Sequence, residues 1–66
     1  MSEIKISLAA ARVNANMTQE EVSKTMHISK NTIVNWESGK VKPSLASLTM
    51  MSQLYKIPID NIFLPS

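Results

Sequence analysis

Apolar residues along this chain recur every three or four positions in successive blocks, with polar residues between them, which is the period of helices that bury one face. In the first block Ile4, Leu8, Ala11 and Ala15 share a face, Ser7 is placed to cap, and Asn16 tolerates the left-handed conformation that ends a helix. A first helix is expected from about Ser7 to Ala15, although Ile4 and Ile6 also fit an extended lead-in. Thr18-Gln19-Glu20-Glu21 is a capping box, in which the threonine hydroxyl and the glutamate three residues on each satisfy a free backbone N–H. It predicts that a second helix starts at Thr18; Val22 and Met26 then face inward one turn apart, and the helix ends near His27.

Ile28 closes the following turn and Ser29 caps a third helix, which runs to about Ser38 and stops at Gly39, the only glycine in the chain. Lys40-Val41-Lys42-Pro43 reads as a loop. Ser44 caps a fourth helix with Leu45, Leu48, Met51 and Leu54 as its apolar stripe, and Pro58 breaks the chain before a short last helix near Ile59 to Leu64. The pattern predicts an all-α fold of five helices forming a single domain over residues 1–66.

The third helix carries the most informative pattern. At about 100° per residue, Thr32, Ile33 and Trp36 fall on one side and Lys30, Asn31, Val34 and Asn35 on the other. A helix held by Ile33 and Trp36 presents Lys30, Asn31 and Asn35 outward. Lysine donates to guanine O6 and N7, an asparagine amide bridges adenine N7 and N6, and a valine between them suits a thymine methyl. The same residues on an ordinary surface helix would be only a solvated polar face.

Charge sharpens that picture. The net charge of +2 is mild, but Lys24, Lys30, Lys40 and Lys42 stand against Glu37 alone between positions 24 and 42. The rest of the chain sets Lys5, Arg12 and Lys56 against Glu3, Glu20, Glu21 and Asp60, so the positive excess lies on the proposed reading unit. With 44% hydrophobic residues there is material for a core, and with no cysteine there is neither a disulfide nor a thiolate ligand. No apolar run approaches the roughly 20 residues that span a bilayer, and no secretory signal opens the chain. A cytoplasmic protein that uses no membrane is expected.

The segments Thr18-Gln19-Glu20-Glu21-Val22, Ile28-Ser29-Lys30-Asn31-Thr32-Ile33, Trp36-Glu37-Ser38-Gly39-Lys40 and Lys42-Pro43-Ser44-Leu45 together resemble the Cro and lambda-repressor type of helix-turn-helix domain, the XRE family, over nearly the whole chain. The resemblance implies a compact five-helix lambda-repressor-like fold whose second and third helices form the DNA-binding unit. It implies base contacts from Lys30, Asn31, Val34 and Asn35, and backbone contacts from Gln19, Ser29, Thr32, Lys40, Val41 and Lys42. It also implies a structural pair of Arg12 with Glu37 that ties the reading helix to the scaffold.

Two positions depart from the family pattern. Ser23 stands where alanine is common at a close helix contact and its hydroxyl needs a partner, and His27 stands where the turn often has glycine. Met17, Met26 and Met51 read as core, Met1 as the initiator and only Met50 as surface, while Tyr55 and Phe63 read as packing near the C-terminus. No nucleophile, base or phosphate-loop constellation supports an enzyme, the lone histidine has no partners at metal-ligand spacing, and no cofactor is expected.

The leading expectation is a sequence-specific transcriptional regulator, a small repressor binding a palindromic double-stranded DNA operator as a homodimer. With no dedicated oligomerisation segment in view, dimer contacts are expected from the bundle itself. Ile57, Ile59, Ile62, Phe63 and Leu64 form the candidate surface, and completion of the core is the competing use of the same residues. The alternative is a protein-interaction module or antitoxin-like co-regulator that uses the same scaffold to bind a second regulatory protein.

Overall fold

In the computed structural model, which describes residues 5–64, helix boundaries follow the capping residues. β1 (Ile6–Ser7) leads into α1 (Leu8–Asn14), α2 (Gln19–Met26), α3 (Lys30–Ser38) and α4 (Leu45–Tyr55). The chain closes with one 3-10 turn (Ile59–Asn61) and β2 (Ile62–Phe63). Ile4 and Met1 lie outside the described residues.

Ser7, Thr18, Ser29 and Ser44 each hold extended backbone and accept a hydrogen bond from the N–H three residues on, at 3.0, 3.1, 3.2 and 3.1 Å. Thr18 N–H in turn donates to Glu21 Oε1 at 2.8 Å, completing the capping box. Each such cap contributes about 1 kcal/mol, which matters for helices this short. At the other ends, α2, α3 and α4 stop on left-handed residues: His27 (φ 58°), Gly39 (φ 83°) and Lys56 (φ 59°). Only Gly39 is free of the Cβ clash there; His27 carries a cost of about 1 kcal/mol. The turn offsets it, because Ile28 N–H donates to Ser23 O at 2.9 Å and the Ile28 side chain packs against the core. The helix-turn-helix thus keeps its geometry without a glycine in the turn.

The core takes Leu8 and Ala11 from α1, Val22 and Met26 from α2, Ile33 and Trp36 from α3, Leu48, Met51 and Tyr55 from α4, and Ile62 from β2. Met17 is half-buried against it and Met50 is exposed. Ser23 is buried in α2, and its hydroxyl donates to Glu20 O at 2.8 Å, so the polar atom is satisfied within its own helix.

Two expectations about the C-terminal half are corrected. The apolar stripe of α4 is centred on Leu48, Met51 and Tyr55, and Leu45 sits about 90° from that centre on the first turn. Leu45 is therefore 73% exposed, whereas Leu54 on the other flank is half-buried. The expected helix at Ile59 to Leu64 does not form: the described residues are mostly helical, with four α-helices and a two-stranded sheet. Pro58 presets a single 3-10 turn, and the segment beyond it is too short to nucleate a helix that no packing rewards. Instead Ile62 and Phe63 extend and pair in parallel with Ile6 and Ser7, respectively. A period of two then replaces the helical one, so Ile62 turns into the core and Phe63 turns out, 53% exposed.

The same pairing redistributes the candidate dimer surface. Ile62 is core, while Ile57, Ile59 and Leu64 are half-buried against it, so core completion claims most of this apolar group and Phe63 alone faces outward. Ile62→Ala is accordingly expected to lower stability by about 2–4 kcal/mol in urea unfolding, and Phe63→Ala by less than about 1 kcal/mol. Similar losses from both would show that β2 does not clasp the bundle.

Candidate nucleic-acid interface

The Ser29 cap fixes where α3 begins, and the burial of Ile33 and Trp36 fixes how it is rotated. Asn31 and Val34 are exposed away from that buried side, Lys30 is exposed about 90° round from it, and Asn35 and Thr32 are half-buried. Among the described residues the side chains of Lys30, Asn31 and Asn35 make no hydrogen bond to the rest of the chain, so their donors and acceptors stay available. Ser29 and Thr32 are differently placed: their hydroxyls bond each other at 2.9 Å, and Ser29 Oγ also accepts Thr32 N–H.

The loop after α3 is held by one carbonyl. Asn35 O accepts from Lys40 N–H at 3.0 Å and Val41 N–H at 3.2 Å, and Pro43 is buried beyond it. Lys40, Val41 and Lys42 consequently stand exposed beside the C-terminal end of α3. Lys24 contributes less to the positive field, because it lies 3.9 Å from the Glu20 carboxylate on the same exposed helix face. Lys30, Lys40 and Lys42 form no salt bridge among the described residues.

Behind this face lies a polar cluster. Arg12 Nε donates to Glu37 Oε2 at 2.7 Å and Arg12 Nη2 to Glu37 Oε1 at 3.4 Å, with side-chain exposures of 15% and 9%. Arg12 Nη1 donates to Met17 O at 2.9 Å, so the guanidinium also fixes the link between α1 and α2. Gln19, the first residue of α2, donates from Nε2 to Glu37 Oε1 at 2.9 Å. Nothing in the sequence signals that bond, because an amide and a carboxylate 18 residues apart share no periodic pattern. Tyr55, 4% exposed, brings α4 to the cluster with a buried hydroxyl that has no hydrogen-bond partner in the described structure. Burial pushes this hydroxyl up to about 12 and the Glu37 carboxylate acts in the same direction, against the Arg12 guanidinium.

A helix oriented by its buried back, with unengaged lysine and asparagine side chains in front and a rigid turn before it, is the geometry of a helix-turn-helix reading unit. The family described as Helix-turn-helix matches residues 8–62. The chain belongs to the XRE family of helix-turn-helix proteins. As such it is a DNA-binding domain of the transcription-regulator type. It is 33% identical over 60 residues to the HTH-type transcriptional activator BcrR of Enterococcus faecalis, covering 91% of this chain and 29% of that protein. It is also 33% identical over 61 residues to the uncharacterized HTH-type transcriptional regulator MJ0272 of Methanocaldococcus jannaschii, covering 92% of each. The cryptic phage CTXphi transcriptional repressor RstR of Vibrio cholerae is 33% identical over 51 residues, 77% of this chain and 46% of the repressor. No solved structure gives a significant match. Among the described residues no helix is long and apolar enough to cross a membrane, and no group of three or more His, Asp or Glu is placed to hold a metal ion.

The geometry separates residues that hold the unit from residues that face outward. Glu37→Ala is expected to cost roughly 3 kcal/mol, because it strands the Arg12 charge in a poorly solvated place, whereas Lys30→Ala should stay within about 0.5 kcal/mol. Thermal melts of the two variants check this, and equal shifts would count against the pair as a strut. For Tyr55 the raised value means that the folded state keeps a proton that the unfolded chain releases near pH 10. Its contribution is present below about pH 10 and is lost as pH rises toward 12. Tyr55→Phe should leave stability at neutral pH unchanged or slightly higher and flatten the decline between pH 10 and 12 in urea titrations.

Proposed function

We propose that this chain is a sequence-specific transcriptional repressor that docks α3 in the major groove of a palindromic or near-palindromic operator as a homodimer. The observation that carries the reading is the outward face of α3: Asn31 and Val34 are exposed away from Ile33 and Trp36, exposed Lys30 and half-buried Asn35 flank them, and the lysine and both amides are unengaged. Lys30 suits a guanine, each asparagine an adenine, and Val34 a thymine methyl. Gln19 at the start of α2, Ser29 and Thr32 at the start of α3, and Lys40, Val41 and Lys42 in the loop after it supply backbone contacts, which set register without reading sequence.

Twofold symmetry follows from the size of the reading unit. One helix covers only a few base pairs, and two of them about 34 Å apart double both the recognised length and the phosphate contacts. Phe63 on β2 is the exposed member of the candidate dimer group, while Ile57, Ile59 and Leu64 are half-buried against the core. Repression needs only occupancy of the DNA, which such a domain supplies by itself, whereas activation needs a further surface for the polymerase. A DNA-bound role also agrees with a cytoplasmic location.

Selection of bound duplexes from a random pool tests the proposal. A twofold-symmetric motif is expected, with Lys30→Ala and Asn31→Ala each weakening the selected site about 5- to 100-fold while the fold is retained. Affinity should also fall steeply with salt, as counterions are released from phosphates. If selected and random duplexes bind equally poorly at low salt, or if both variants bind the selected site like the parent, the DNA-reading assignment fails. Binding to a second protein with little salt dependence would then favour the co-regulator alternative.

A further inference from the structure

Gln19 is the one proposed DNA-contacting side chain whose end group the fold already grips from another element. Its Nε2 donates to Glu37 Oε1 at 2.9 Å, on a carboxylate that Arg12 engages from the other side at 2.7 Å. A primary amide nitrogen carries two protons aimed in different directions, and its oxygen carries none. With one proton on Glu37, the nitrogen end of Gln19 is fixed at the junction of α2 and α3 and its second proton remains unassigned. The flipped amide would set its oxygen against a carboxylate and is repelled. Glu37 therefore selects which end of the Gln19 amide is presented at the first turn of α2.

Charge makes the arrangement compatible with a nearby phosphate. An isolated carboxylate close to the N-terminus of α2 would repel that anion, but the Arg12 guanidinium offsets it at contact distance. The two acidic residues of the same turn are likewise committed, Glu21 to the capping box and Glu20 beside Lys24. Glu37 thus holds the amide without adding a net negative charge of its own. Gln19 remains partly exposed at this position.

We propose that Glu37, without touching DNA, is a positioning residue for phosphate binding: it holds the Gln19 amide so that the free Nε2 proton is directed at the DNA backbone. The proposal rests on the DNA-binding reading above. It separates two roles of Glu37, one in stability through Arg12 and one in binding through Gln19.

A double-mutant cycle on the full chain tests it, with the selected duplex as ligand and all proteins held well below their melting temperatures. Gln19→Met keeps the side chain's length and removes the amide; Glu37→Gln keeps the shape at position 37 and removes the obligate acceptor. Gln19→Met alone is expected to weaken binding about 5- to 10-fold, and less than about 2-fold in the Glu37→Gln background. The cycle cancels any general effect of uncovering Arg12, which is common to both arms. An equal loss in both backgrounds, or no loss from Gln19→Met in the parent, overturns the proposal.

Should Glu37→Gln not fold, the parent protein supplies the second measurement. In proton–nitrogen spectra one Gln19 side-chain amide proton should stay displaced from its free-amide position and protected from exchange on adding duplex, while the other shifts. Collapse to free-amide shifts in the complex overturns the proposal. The outcome remains separable from that of the underlying reading: if Lys30→Ala and Asn31→Ala weaken the selected site but Gln19→Met does not, only this inference falls.

Discussion

The Arg12–Glu37 contact is the constraint on which the reading unit depends. Glu37 occupies the last turn of α3, and its carboxylate is largely withdrawn from water, so it must be paired and hydrogen-bonded where it sits. Arg12 from α1 supplies the charge, Gln19 from α2 supplies a neutral donor, and Tyr55 from α4 packs close enough to feel both charges. All four α-helices thus meet at one polar cluster. A buried pair of this kind adds little net stability compared with apolar packing, yet it tolerates few geometries. What it adds is direction: the end of α3 is tied to α1 and α2 by bonds of defined geometry.

That orientation serves the opposite face of the same helix. Ile33 and Trp36 set the rotation of α3, the Ser29 cap sets its start and Gly39 its end, and the groups facing outward inherit a position they do nothing to maintain. Separating the two jobs leaves the side chains of Lys30, Asn31 and Asn35 unengaged by the fold. Holding the frame in advance also lowers the entropy lost on docking, since little besides long side chains is left to order. The turn before α3 illustrates the tolerance of the frame: His27 adopts a left-handed conformation that glycine would take more easily, and the Ile28 anchor holds it there.

Features whose cause lies within a few residues were legible in the chain. The four N-caps, the Thr18 capping box, the stop at Gly39 and the two faces of α3 all follow from side chains three or four positions apart, and the helices appear at those places. Leu45 shows the limit of such signals: regular spacing does not say where a stripe's centre lies, and Leu45 stands at its edge. The last segment departs from its local pattern for a stronger reason. Pairing of Ile62 and Phe63 with Ile6 and Ser7 joins the two ends of the described chain, and no local pattern registers a partner more than 50 residues away.

Sequence by itself determined where the helices begin and end, which side of α3 is apolar, and that this side chain set belongs to a DNA-reading family, because caps, periodicity and motif spacing are short-range properties. Only the tertiary structure decided that the chain closes with a strand, that Ile62 belongs to the core while Phe63 does not, and that Gln19 is bound to Glu37 before any DNA arrives. Those outcomes depend on which distant groups come within hydrogen-bonding and packing distance once the helices dock, and that distance is a property of the assembled fold.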